Sequence, residues 1–377
     1  MKIVLAPDSF KESMTAAEAI SAMRDGVHAA MPDAECVGVP MADGGEGTVD
    51  AVVDALDGER VTVEVADALG RPVRATYGYV AARRLAVIEM AAAAGLELIA
   101  PTERDVLRAS TFGVGQLISH ALDRGAAEFL VGLGGSATND GGAGMLTALG
   151  IGLFDAAGAP LPPGGAALAE LERIDVTGLD PRVAGVRIQL ACDVTAPLLG
   201  PGGASAVFGP QKGATPADVV RLEAALSRFA AVADATQADT PGAGAAGGLG
   251  FALLEFLGAT SRPGVEVVAE TVGLEQALQG ASWVFTGEGG VDAQTLMGKT
   301  PFGVAQVAAR TGARVVIFAG RVGDDASVLL DHGVDEIVGI TAPGTPLAEA
   351  LRTGPQSLAR AAEDFLRRAD TESRGNA

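Results

Sequence analysis

Residues 132–144, Gly-Leu-Gly-Gly-Ser-Ala-Thr-Asn-Asp-Gly-Gly-Ala-Gly, put six glycines into thirteen positions. They lie between an apolar run read as a strand (129–133) and a segment read as a helix (143–149). Without Cβ atoms, successive backbone N–H groups can turn into one concavity, and a following helix would add its positive end. Gly134, Gly135, Ser136, Ala137 and Thr138 are therefore the candidate phosphate cradle, and Asp140 a helix cap or a magnesium ligand. Carboxylates recur at other strand ends. Asp43 and Glu46, in Ala42-Asp43-Gly44-Gly45-Glu46-Gly47-Thr48, suit magnesium or substrate hydroxyls, or equally the first turn of a helix. Glu288 stands in Thr286-Gly287-Glu288-Gly289, and Asp193 ends the apolar run 188–192, a usual place for a catalytic group. Ser110 and Thr111 open a helix whose amides can bind a carboxylate or simply be capped. Glu89, inside an apolar strand, reads as a buried, satisfied acid.

The cations are unusual. Of 27 basic residues only four are lysine, Lys2, Lys11, Lys212 and Lys299. The last three sit in tight stretches, Pro7-Asp8-Ser9-Phe10-Lys11, Gly209-Pro210-Gln211-Lys212-Gly213 and Gly298-Lys299-Thr300-Pro301. A compact ammonium on a flexible stem reaches a phosphate oxygen where a planar guanidinium would not fit. These three lysines are expected to converge on one interdomain cleft. Lys2 has no such context.

Other motifs carry less. Ala293 through Gly298-Lys299-Thr300 matches a relaxed P-loop pattern, but the strand before it is read as ending near Thr286, too early, and Pro301 follows at once. Gly242-x-Gly244-x-x-Gly247 spells a dinucleotide fingerprint with no strand in front of it. His28, His120 and His332 lack partners at metal-ligand spacing and read as structural.

These residues need a scaffold. Buried-type runs at 3–6 and 36–39 alternate with helices, the first capped by Thr15 with Glu18 in the capping-box position. The alternation returns with strands at 283–286, 314–319 and 336–340. Between lie a meander of strands (61–65, 73–80, 85–90) and a glycine-rich mixed region. The fold class expected is α/β: a discontinuous Rossmann-like, doubly wound domain from residues 1–60 and 282–377, with a mixed α/β domain, 61–281, inserted. The polar tail after Thr371 is expected to fray.

Composition sets the bounds. The 377-residue chain is 48% hydrophobic and 4% aromatic, so its core is aliphatic. Its formal net charge of −20 opposes nucleic acid and anionic membrane as partners. It also obliges any anionic substrate to find local cations. No apolar run reaches membrane-spanning length, the N-terminus has no secretory pattern, and Cys36 and Cys192 are expected to stay reduced. A cytoplasmic enzyme follows.

Seven motifs in order along almost the whole chain carry a resemblance. They are Ala6-Pro7-Asp8-Ser9-Phe10-Lys11, residues 42–48, the 132–144 loop, Ala191-Cys192-Asp193-Val194, Phe208-Gly209-Pro210-Gln211-Lys212-Gly213, residues 241–250, and Thr286-Gly287-Glu288-Gly289 through Gly298-Lys299. In these the chain resembles the bacterial glycerate kinase family, two-domain enzymes that phosphorylate glycerate with ATP. The resemblance implies ATP and Mg²⁺ as cofactors, small-molecule substrates only, a monomer or homodimer, and transfer of the γ-phosphate to a hydroxyl of D-glycerate. It leans toward 2-phosphoglycerate, with 3-phosphoglycerate open. Within that chemistry Asp193 is the first candidate base and Asp8 the second. Lys11, Lys212 and Lys299 neutralise phosphate and carboxylate charge. Ser9, Asp43, Glu46, Ser110 and Thr111 face substrate, and Asp140 and Glu288 hold magnesium. One position departs from the family pattern: Gly290 stands where arginine is usual, and Arg321 on the following strand end is the residue that would compensate. Two other readings are weighed. The 132–137 loop resembles that of the GHMP small-molecule kinases, which have a different fold, and the 242–247 glycines would suit an NAD(P)-dependent hydroxy-acid dehydrogenase.

Overall fold

The computed structural model describes residues 1–375. The chain forms two compact units. One comprises Met1–Asp43, Asp50–Asp57 and the chain from Pro263 onward; the other comprises Gly44–Val49 and Gly58–Arg262.

The first unit is built on a five-stranded, wholly parallel sheet. Its strands run, edge to edge, Glu336–Gly339, Arg314–Val322, Trp283–Val291, Lys2–Leu5 and Glu35–Gly38. Parallel strands need crossovers, and helices on the faces cover both sides, so the central strands are apolar throughout. Ile3, Val4, Leu5, Val284, Phe285, Val316, Ile317 and Phe318 are all fully buried. On one face pack the helices Ala16–Ala30 and Leu347–Gly375. Thr15 and Glu18 form the expected capping box at the start of the first. The two helices touch at Gly26, where a Cβ would lie 2.0 Å from the Ala359 carbonyl oxygen. Phe365 fills the space beneath, meeting Trp283, Phe285 and Phe318 edge-on.

Three expectations change here. The strand beginning at Trp283 does not stop near Thr286; it runs nine residues to Val291, because Arg314–Val322 pairs with it as far as Val291 opposite Val322. Glycines without side-chain signal hid that continuation. Residues 263–281, placed by sequence in the insertion, belong to the first unit: the Gly264–Val272 helix packs on Thr300–Thr311, with the Val265 side chain filling the notch at Gly303. The C-terminal helix, expected to fray after Thr371, continues to Gly375, and Asn376 and Ala377 lie outside the described residues.

The second unit carries a six-stranded mixed sheet, ordered Thr260–Arg262, Arg187–Ala191, Glu128–Gly132, Leu85–Glu89, Pro72–Val80 and Glu59–Ala66. The first four strands are parallel and the last two join as the expected antiparallel meander. Its core gathers Tyr77, Ile88, Phe129, Val131, Leu190, Phe229 and Phe251. The histidines are structural: His120 Nδ1 lies 2.9 Å from the Tyr77 hydroxyl, His28 meets the Ala34 carbonyl at 3.3 Å, and His332 packs edge-on to Phe302. Among the described residues no helix is long and apolar enough to cross a membrane.

Phe365 is the keystone of the helical face. Phe365→Ala should destabilise the protein by about 3–5 kcal/mol in chemical denaturation; a loss below about 1 kcal/mol would mean the aromatic cluster does not hold the helix.

Candidate active site

In the parallel sheet the winding reverses between Lys2–Leu5 and Trp283–Val291, and ligands of such sheets bind outside the carboxyl ends of the strands at that reversal. Two acids stand there. Asp8 follows the first strand and remains tied to the second, its amide donating to the Gly287 carbonyl at 2.9 Å. Glu288 comes next along that second strand. Asp43, beyond the Glu35–Gly38 strand, is close enough to raise the pKa of both.

Crowding sets the electrostatics. Burial pushes Asp8 up to about 7 and the neighbouring Asp43 and Glu288 charges add to it. Two hydrogen bonds pull the other way: Thr300 Oγ1 donates to Asp8 Oδ2 at 2.5 Å, and the Ser9 amide to Oδ1 at 2.6 Å. Glu288 also rises to about 7, through burial first, with Lys299 opposing and Asp43 reinforcing. The Lys299 ammonium sits 3.5 Å from Glu288 Oε1 and 3.3 Å from the Gly290 carbonyl. Thr295 Oγ1 approaches the same Glu288 oxygen at 3.4 Å. Thr300 and Thr295 are fully buried, and no role was read for them in the sequence. Gly-Lys-Thr is the signal available for Thr300, and Gln294-Thr295-Leu296, inside the seventh motif, the one for Thr295.

The longer strand removes the original ground for rejecting a P-loop, since strand, turn and helix now follow in the right order. Local geometry excludes it instead. Residues Ala293–Met297 coil into a 3₁₀ turn closed by a capping box, Asp292 accepting from the Gln294 amide and Thr295 from the Asp292 amide. Those amides are spent internally and cannot cradle a phosphate.

The glycine loop of the second unit also differs from expectation. Only Gly134 and Gly135 are exposed; Ser136, Ala137, Thr138, Asn139 and Asp140 are buried. The helix after it, Ala143–Ala148, is six residues long, and its leading amides are already used. Asp140 accepts from the amides of Thr111, Gly142 and Gly144 and from the Thr111 hydroxyl, at 2.8 to 3.1 Å. The Thr111 hydroxyl in turn accepts from the Met145 amide at 2.9 Å. Asp140 is 0% exposed, so it is a buried knot and not a magnesium ligand, and Thr111 belongs to that knot instead of facing substrate. Ser110 is buried too, accepting from the Phe112 amide at 3.3 Å.

Lys212 is the clearest correction. Its side chain is 1% exposed and its ammonium donates to the Thr138 carbonyl at 2.6 Å. Burial lowers its pKa to about 7, with the Asp140 carboxylate holding it up. A lysine in this position cannot face a cleft; it pins the buried half of the glycine loop from behind. Lys11 and Lys299 lie in the first unit and Lys212 in the second, and the buried Lys212 does not face solvent. Lys2 donates to the Gln279 carbonyl at 2.9 Å.

The remaining candidates divide between the two units. Asp193 is exposed two residues past the Arg187–Ala191 strand, in the second unit. Glu46 is exposed in the Gly44–Val49 segment of that unit, whereas Asp43 belongs to the first. Glu89 accepts from the Val49 amide at 2.8 Å, the satisfied acid expected. The 242–247 glycines make close contacts only: a Cβ on Gly247 would fall 2.0 Å from the Thr138 carbonyl oxygen. They leave the dehydrogenase reading without support.

Magnesium fits the first unit's acids and not Asp140. Among the described residues no three His, Cys, Asp or Glu side chains stand in metal-ligating geometry. Mutual repulsion among Asp8, Asp43 and Glu288 still marks a place for positive charge. One or two hard carboxylates, completed by water and phosphate oxygens, is how magnesium is ordinarily held.

Comparison with known proteins places the chain in a family. Residues 3–370 match the glycerate kinase family. The chain is 47% identical to a glycerate kinase of Bacillus subtilis (strain 168), covering 97% of each, and 46% identical to a glycerate 2-kinase of Escherichia coli (strain K12), again 97% of each. A crystal structure from Salmonella typhimurium LT2 that bears the name glycerate kinase 2 superposes with a TM-score of 0.92 at 46% identity, covering 99% of both chains.

Lys212→Arg keeps the charge but overfills a closed space, and should cost about 1–3 kcal/mol. Lys212→Met should cost a similar amount by leaving the Thr138 carbonyl unpaired. Thermal melting reads both; an Arg variant as stable as wild type would return Lys212 to the surface.

Proposed function

The chain belongs to the glycerate kinase family, and on that premise we propose that it transfers the γ-phosphate of ATP to the 2-hydroxyl of D-glycerate, with Asp8 as the base. The observation that carries this reading is the Asp8 carboxyl, raised to about 7 at the sheet's reversal point beside two further acids. A base working near neutral pH needs a pKa in that range. Asp193, the first candidate from sequence, is exposed two residues past a strand of the other unit, whereas Asp8 stands at the reversal point of the parallel sheet, so Asp8 takes precedence. The 2-hydroxyl is preferred because a relative 46% identical carries the name glycerate 2-kinase.

Phosphoryl transfer is mostly positioning and charge neutralisation. Asp8 accepts the proton of the attacking hydroxyl while Thr300 and the Ser9 amide fix its two oxygens. Lys299, held between Glu288 and the Gly290 carbonyl, supplies positive charge beside it. Asp43 and Glu288 are the residues that would hold Mg²⁺, whose contribution when bound is to neutralise phosphate charge. Exposed Gly134 and Gly135 offer the only part of the glycine loop that a phosphate can approach. With no membrane-crossing helix among the described residues, a cytoplasmic enzyme acting on small molecules is the setting proposed.

Incubation with ATP, Mg²⁺ and D-glycerate, followed by enolase without a mutase, should yield phosphoenolpyruvate; ADP release without it would mean the 3-phosphate. Asp8→Asn should lower kcat by about 10²–10⁴, whereas a loss confined to KM would make Asp8 a binding group. The pH dependence has a definite sign. Asp8 accepts a proton only when ionised, so kcat/KM at low metal should rise as pH climbs through about 7. Stability moves oppositely: the raised carboxyls of Asp8 and Glu288 stabilise the fold fully below about 4, and that contribution is lost as pH rises through about 7.

A further inference from the structure

Beside the acids lies a bare stretch of backbone. Gly289 and Gly290 of the Trp283–Val291 strand adjoin Gly320 of Arg314–Val322, and a Cβ on Gly320 would fall 2.6 Å from the Gly289 carbonyl oxygen. Gly290, with nothing closer than 3.8 Å to its missing Cβ, thus forms a bare shelf on the Glu288 side of its strand, while Gly289 faces the other side and Gly320 is closed against the Gly289 backbone. Arg321 stands directly opposite Gly290 in the register. The loop bearing Lys11 passes over the other end, its amide nitrogen 3.6 Å from where a Gly289 Cβ would be. That loop is held tightly: Phe10 and Met14 bridge across it, and Glu12 takes a left-handed φ of 61°. Among the described residues the side chains of Lys11 and Arg321 have no hydrogen-bond or ion-pair partner, and both are exposed. Lys299, in contrast, is committed to Glu288.

We infer that this shelf is the subsite for the substrate's carboxylate, with Arg321 as the residue that grips it and sets specificity for an acid. The inference rests on the glycerate reading above. An acidic substrate must settle beside three carboxylates on a chain of net charge −20, so it needs a cation not already neutralised. A guanidinium matches a carboxylate with two parallel hydrogen bonds, and it keeps its charge at every working pH. The position also suits the chemistry. Gly290, opposite Arg321, comes two residues after Glu288 on one strand, so both face the same side of the sheet. A carboxylate held on the shelf therefore lies on the side of the sheet that carries Glu288.

Steady-state kinetics and calorimetric D-glycerate binding on wild type, Arg321→Gln, Arg321→Lys and Gly290→Arg/Arg321→Gln test this. Arg321→Gln should raise KM and Kd for glycerate roughly 10–100-fold, the worth of a charged hydrogen-bonded contact. Its kcat and its KM for ATP should stay within about threefold, which a general structural defect would not allow. Arg321→Lys should fall between. A Cβ at Gly290 would meet only the Arg321 carbonyl oxygen at 3.8 Å and its Cβ at 4.0 Å, so an arginine there is accommodated. In the double variant it should restore part of the lost affinity. Wild type that phosphorylates glycerate, with an Arg321→Gln KM unchanged or a defect confined to ATP, overturns the shelf and leaves the kinase reading intact. Wild type that neither binds nor phosphorylates glycerate overturns both.

Discussion

The site depends on forcing like charges together. Three acids, Asp8, Asp43 and Glu288, converge at the carboxyl ends of adjacent parallel strands, where burial already penalises ionisation. In water three such carboxylates would ionise near 4 and separate. Here the strands fix them, and the cost appears as pKa values near 7 for Asp8 and Glu288. The sheet can bear this because its centre is apolar and tightly packed: Leu5, Phe285 and Phe318 are fully buried directly beneath. Relief comes from defined partners, the Thr300 hydroxyl, the Ser9 amide and the Lys299 ammonium, each on an element anchored in that core. A base near neutrality and a place for positive charge arise from the same strain.

Glycine serves two separate purposes around these charges. At Gly26, Gly247 and Gly303 it allows backbones or helices to approach more closely than any Cβ permits. At Gly290 it clears a surface beside the acids. The composition makes 52 glycines obvious and leaves their division between these tasks unreadable. Only the neighbours that each missing Cβ would meet separate packing from access.

Much of the architecture was legible because it rests on local pattern. Buried apolar runs marked the parallel strands, and the Thr15–Glu18 box marked a helix start to the residue. The expected base and metal ligand were less legible, since residue type and strand-end position describe Asp8, Asp140 and Asp193 alike. What distinguishes them is long-range: Asp140 is consumed by amides from Thr111, Gly142 and Gly144, while Asp8 meets Thr300 from nearly three hundred residues away. Lys212 shows the same limit. Its rarity did signal a demand for ammonium geometry, but the demand is a buried carbonyl at Thr138 and not a phosphate. The strand from Trp283 was cut short for a related reason, because pairing with Arg314–Val322, not propensity, carries it through Gly287, Gly289 and Gly290.

The most direct test of the central claim is a site-resolved carbon NMR titration of the Asp8 side-chain carboxyl in the full-length protein with metal chelated. The account predicts a midpoint near 7, falling when Asp43 is replaced by Asn because one repelling charge is gone. A midpoint near 4, unmoved by that substitution, would show that Asp8 is an ordinary carboxylate and would contradict the account.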